Sequence, residues 1–150
     1  MLTTSLQMRK LIESWEGKYL TAYYDPVHVI TIGYGHTGPD VHPGQIITEV
    51  QADQLLSNDL HKFEISVTNL IANSPTNQHQ FDALVSFAYN LGSGALKGST
   101  LLKYHLSKNY VAASKEFSKW DHAGGIVLAG LLRRREGEAQ VYLSGVYPNG

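Results

Sequence analysis

A chain of 150 residues, 43% hydrophobic and 17% charged, has enough apolar content for one folded domain and no room for two ordinary modules. Twelve Lys and Arg balance thirteen Asp and Glu, a net charge of -1 that offers no basic field to hold a phosphate backbone, so nucleic acid is not an expected partner. The absence of cysteine excludes a disulfide scaffold, a thiolate metal site and a cysteine nucleophile.

The first segment reads as an amphipathic helix. Met8, Leu11, Ile12 and Trp15 recur at helical spacing, with Thr3, Thr4 or Ser5 as candidate N-caps and Gly17 placed to stop it. Arg9 and Lys10 interrupt the only place for a signal-peptide core, and no apolar run approaches the ~20 residues of a membrane span. The expectation is a cytoplasmic chain with no signal peptide or membrane insertion. From Thr21 to about Gly35, β-branched and aromatic residues punctuated by Pro26 and glycines predict a hairpin or small antiparallel sheet. HTGPDVHPGQ then reads as loop.

Helical periodicity dominates the remainder. Thr48 and Gln51 form a capping-box pair ahead of one stripe, Leu56, Leu60, Phe63, Val67, Leu70 and Ile71, running to about Asn73. Ser74-Pro75 breaks the chain, and a third helix from about Asn77 to Leu91 turns Phe81, Leu84, Val85 and Ala88 inward before Gly92. Shorter helices fit Thr100 to Leu106, Tyr110 to Trp120 and Leu128 to Leu143, with SKN and the glycine-rich DHAGG as separators. Trp120 is expected to serve packing and the Gly124-Gly125 turn punctuation. The predicted class is α+β in a single domain, residues 1–150. A small β lobe, about 17–48, would join through a long helix to a helical lobe, about 74–150, with the first helix packed on it. A cleft would lie between the lobes.

Glu16, Asp25 and Thr31 are the residues suited to chemistry: two carboxylates and a hydroxyl on a helix end and the adjoining hairpin. Hydrolysis of an acetal needs one protonated carboxyl to protonate the leaving oxygen. It needs a second, ionised one to activate water or stabilise the oxocarbenium-like transition state. The carbonyls of a helix C-terminus disfavour charge on Glu16, and Trp15 and Tyr19 are expected to reduce its hydration, while Asp25 before Pro26 sits in a solvated turn. Thr31 is too weak an acid to be the base and suits a hydrogen bond to the attacking water. On spacing alone, ordinary turn roles for these residues stay open.

The stretch WEGKYLTAYYDPVHVITIGYGHTG resembles the active-site segment of phage-type lysozymes, glycoside hydrolase family 24. Its E-x8-D-x5-T pattern followed by I-G-x-G-H is met by Glu16, Asp25, Thr31, Ile32, Gly33, Gly35 and His36. The likeness continues through ITEVQADQLLSNDL, FDALVSFAYNLGSGALKGSTLL and W-x2-AGG-x2-L-x-GL-x-RRR-x-GE, nearly the whole chain. His28 and Ile30 depart from residues common there, on the cleft wall rather than in the triad. The resemblance implies a lysozyme-like fold and an endolysin muramidase that cuts the β-1,4 bond between N-acetylmuramic acid and N-acetylglucosamine in peptidoglycan. Glu16 would be the acid; Asp25 and Thr31 would activate water on the opposite face, with inversion. Inversion implies a carboxyl separation wider than the ~5–5.5 Å of a retaining pair. A lytic transglycosylase, needing one Glu and no activated water, and a non-catalytic peptidoglycan-binding module are the alternatives.

Further expectations attach to single residues. His36 is expected to pair with Asp59 on the long helix, tying sheet to helix. Of the run Arg133, Arg134 and Arg135, at least one must face inward, and the resemblance selects Arg134 as the one reaching Glu16. Thr37, Tyr89, Asn90 and Thr100 are candidate sugar contacts. The histidine spacings match no metal motif, and no metal or other cofactor is expected. The expected protein is a monomer that waits in the host cytoplasm and acts on the wall after release through a separate pore protein.

Overall fold

The computed structural model describes residues 1–123 and 125–149. Helix α1, Leu6–Glu16, starts at Ser5, whose side chain accepts from Met8 N, and stops at Gly17 in a positive-φ conformation (78°). Met8, Leu11 and Ile12 are buried on one face, each stabilising the fold by roughly 2 kcal/mol. Two carboxylates fix its start. Glu64 Oε2 accepts from Thr4 N and Oγ1 at 2.8 and 2.6 Å, and Asp82 accepts from Ser5 N and Oγ at 3.0 and 2.5 Å. A helix anchored at its first turn delivers the last residue, Glu16, to a fixed place.

Strands β1, Tyr19–Tyr24, and β2, Ile30–Gly33, pair antiparallel with Tyr23 opposite Thr31 and an irregularity between Tyr19 and Tyr23. The segment 45–47 runs along the free edge of β1, with Ala22 N donating to Gln45 O and Ile47 N to Leu20 O, both 2.9 Å. This sheet packs on the start of α2, Glu49–Ile71, which opens with the complete Thr48/Gln51 capping box. Helix α2 then runs on to pack against α3, Gln78–Leu91.

Helix α3 is the centre of the molecule. Residues 80–88 are all buried, so Asp82 and Ser86 are enclosed together with the predicted inward face. Both polar residues are tolerable there because each is hydrogen-bonded: Asp82 to Ser5, Gln78 and Tyr147, and Ser86 to Glu138. Helix α3 packs on α4, Ser93–Lys97, and on α7, Ala129–Ser144, while α5, Thr100–Leu106, pairs with α6, Tyr110–Glu116, which in turn packs on α7.

Three local features differ from the sequence reading. The five-residue α4 adds a helix where none was expected; it has no side-chain cap to announce it. The helix expected to reach Trp120 ends at Glu116 and tightens into a 3-10 turn over Phe117–Lys119, which buries Phe117 against the core. The DHAGG separator contributes to a short hairpin, β3, His122–Ala123, with β4, Ile126–Val127. Gly125 has a φ of 80°, as a turn position requires, while Gly124 lies outside the described residues. No helix among the described residues is long and apolar enough to cross a membrane.

Candidate active site

Glu16 is shared by two adjoining cavities. One, of about 310 Å³, opens toward the small sheet and α2 and is lined by Gly35 and Thr37, by Asp59, Lys62 and Phe63 of α2, and by Tyr89 and Asn90 of α3. The other, of about 640 Å³, opens toward the start of α7, between Trp15, Leu128, Leu131 and Arg133. Asn90 lines both, and its Oδ1 is buried without a hydrogen-bond partner.

Arg134 holds Glu16. Its Nη1 lies 2.5 Å from Glu16 Oε1, and its guanidinium carbon stands 5.1 Å from the centre of the Trp15 ring. Trp15, expected to strip water from Glu16, is thus also the surface on which the arginine rests. Arg134 is fixed in turn from behind. Its Nε faces Glu138 Oε2 at 3.4 Å, and the fully buried Glu138 also accepts from Ser86 Oγ at 2.5 Å and Arg135 Nη2 at 3.0 Å. Two of the three successive arginines are therefore interior, Arg134 at 5% and Arg135 at 0% exposure. The compensating charge is Glu138, one helical turn on, so no bare cation is buried.

Among the described residues nothing donates to the second oxygen of Glu16, which faces Gly35. A Cβ there would stand 3.6 Å from Glu16 Oε2 and 3.8 Å from the Tyr89 hydroxyl, and the backbone φ of 96° suits only glycine.

Asp25 follows β1 in a tight turn. Its Oδ1 accepts from Val27 N at 3.0 Å and Val29 N at 2.8 Å, and among the described residues nothing donates to Oδ2. Pro26 donates no N–H and leaves this cradle to its neighbours. Thr31 is 3% exposed and spends its hydroxyl proton on Val29 O at 2.9 Å, so its oxygen is an acceptor toward any water. Asp25 and Thr31 line neither cavity. Tyr23 pairs with Thr31; burial raises its phenol pKa, and the charges of Tyr19, Asp25 and Glu16 raise it further.

His36 lies behind the first cavity. Its Nδ1 is 2.8 Å from Asp59 Oδ2 on α2, and its Nε2 is 2.9 Å from Asp40 Oδ2 in the following loop. Loss of water works against the ring's charge, yet the hydrogen bonds and charges of Asp59 and Asp40 outweigh it, so the His36 pKa is raised.

Of the sugar contacts expected from sequence, Thr37, Tyr89 and Asn90 line the first cavity. Thr100 does not: Ser99 caps α5, Leu101 and Leu102 take the inward positions, and Thr100 is left exposed, lining neither cavity. Sequence reading missed Lys62, Tyr23 and the Glu138 support. Asp59, Lys62 and Phe63 share a helix face at i, i+3 and i+4, a signal masked because Phe63 also fits the core stripe.

A family model described as phage lysozyme matches residues 13–138. The chain belongs to the phage lysozyme family. Among similar proteins, the endolysin of Bacillus phage B103 is 49% identical over 141 residues, covering 93% of this chain and 53% of that protein. The chain spans about half the length of the first curated relatives it matches. Among solved structures, an endolysin from Escherichia coli O157:H7 phage FAHEc1 superposes with a TM-score of 0.92 at 38% identity, covering 99% of this chain and 98% of that one. The muramidase domain of SpmX from Asticaccaulis excentricus gives a TM-score of 0.88 at 35% identity, covering 96% and 99%. The lysozyme-like α+β class expected from sequence is therefore the observed one.

Proposed function

We propose that this chain is an endolysin muramidase that hydrolyses the β-1,4 bond between N-acetylmuramic acid and N-acetylglucosamine in peptidoglycan, with inversion. The observation that carries the reading is Glu16 itself, held through one oxygen by Arg134 at the junction of two cavities, its other oxygen bare at Gly35. A glycan strand crossing that junction brings its glycosidic oxygen to Glu16 Oε2. Glu16 gives its proton to that oxygen as the bond to the anomeric carbon breaks.

Water attacks the anomeric carbon from the opposite face. Its protons point at Thr31 Oγ1 and the free Asp25 Oδ2, and Asp25 takes one as the new C–O bond forms. The turn that fixes Asp25 Oδ1 to two backbone N–H groups orients Oδ2 for this role. Thr37, Tyr89 and Asn90 supply contacts for N-acetylated sugars along the first cavity, and His36 with Asp59 holds that wall in shape. The likeness to a muramidase domain at 35% identity over nearly the whole chain supports the same substrate. The enzyme accumulates in the host cytoplasm as a monomer and reaches the wall through a separately encoded pore.

Proton NMR of the first product decides the stereochemistry. The β bond should yield the α anomer of a reducing N-acetylmuramic acid end. An initial β anomer overturns the roles of Asp25 and water, and a 1,6-anhydro end makes the enzyme a transglycosylase.

A further inference from the structure

The charges lining the first cavity are not equivalent. Glu16 is engaged by Arg134 and Asp59 by His36, whereas Lys62, one turn beyond Asp59 on α2, has no carboxylate within ion-pair distance among the described residues. Lys62 is therefore the cavity's uncommitted cation. Beside it, Phe63 and Tyr89 meet edge to face with ring centres 5.5 Å apart, and Asn90 presents a buried Oδ1 with nothing donating to it.

Each of these features asks for a different part of a ligand. The aromatic pair suits the apolar face of a pyranose ring. A lone buried amide oxygen suits an N–H donor such as an acetamido group. A free ammonium suits a carboxylate, with which it makes a charge-assisted hydrogen bond stronger than a neutral one.

We propose that Lys62 is a specificity-determining residue that binds a carboxylate carried by the glycan's N-acetylated sugar. The inference rests on the glycan reading of the cavity. Two parts of peptidoglycan carry this chemistry: the lactyl arm when its peptide has been removed, and the acidic residues of the peptide stem when present. Lys62 adds to affinity rather than to bond breaking, because an ammonium on α2 has no proton-transfer partner in the reaction.

The test measures kcat/KM for the wild type, Lys62→Gln and Lys62→Arg on three preparations of one cell wall: intact, stripped of peptide stems by an amidase, and intact with its carboxyls chemically amidated. The expected result is a wild-type preference of about tenfold, the scale of one hydrogen bond to a charged group, for a carboxylate-bearing wall over the amidated one. That preference collapses toward one in Lys62→Gln through KM and is recovered in Lys62→Arg. Loss confined to the intact wall assigns the peptide stem; loss confined to the stripped wall assigns the lactyl arm. Equal charged-to-amidated ratios in wild type and Lys62→Gln overturn the inference while leaving the muramidase intact. Absence of cleavage by the wild type on every wall refutes the glycan reading instead.

Discussion

Protonation of His105 should be an acid weakness of this fold. The ring is fully buried between Thr76 and Tyr142. Thr76 Oγ1 donates to Ser74 O at 3.1 Å, which leaves its oxygen to accept from His105 Nε2–H at 2.8 Å. Tyr142 then donates its O–H to the bare His105 Nδ1 at 2.6 Å. The arrangement fits a neutral imidazole, and a proton added at Nδ1 would face the donor O–H of Tyr142. Burial accordingly pushes the His105 pKa down to about 4.

Because the folded value lies below the unfolded one near 6.5, the unfolded chain binds the proton first. The contribution of neutral His105 is complete above about pH 6.5 and fades as pH falls toward 4. A gap of about 2.5 units corresponds to about 3 kcal/mol when complete, and about 2 kcal/mol is gone by pH 5. Urea unfolding of wild type and His105→Gln at pH 7 and pH 5 isolates the effect, since glutamine retains hydrogen bonding without titrating. The variant should start less stable at pH 7 yet lose about 2 kcal/mol less on acidification. An equal loss in both proteins would refute the reasoning.

Two further outcomes follow from single contacts. His36 works in the opposite sense: its raised folded pKa gives stability present below about pH 6.5 and lost as pH rises through the folded value. Asp40→Asn should lower the His36 pKa in an NMR titration and move that loss to lower pH; an unmoved titration would show Asp40 irrelevant. Gly137→Ala would set a Cβ 2.7 Å from Trp15 Cζ2, and overpacking of this kind costs about 1–3 kcal/mol. Because Trp15 supports Arg134, activity should fall along with the melting temperature, and unchanged values of both would contradict the packing described.

The parts of the fold legible from sequence were those with chemical punctuation. Ser5 and Gly17 bound α1, Thr48 with Gln51 opens α2, and Asn77 and Gly92 bound α3. The parts that escaped lack it. Helix α4 is a single uncapped turn, and strands of two residues are too short to show alternation. At the site, Glu16, Asp25 and Thr31 could be picked out through the likeness of their segment to phage-type lysozymes, since their spacing alone also fits ordinary turns. Lys62 could not, since a lysine on a long helix looks like solvated surface until the fold places it on the wall of a cavity that Glu16 also lines. Thr100 shows the converse: a polar residue in the right segment is turned outward by the burial of its two neighbours.

The central claim is that Glu16 donates the proton that breaks the glycosidic bond. Glu16→Gln preserves size and hydrogen bonding and removes the acid. Its rate of clearing purified cell wall should fall at least about a hundredfold, while its unfolding transition stays cooperative. Clearing within a few-fold of wild type by a folded Glu16→Gln protein would contradict the account.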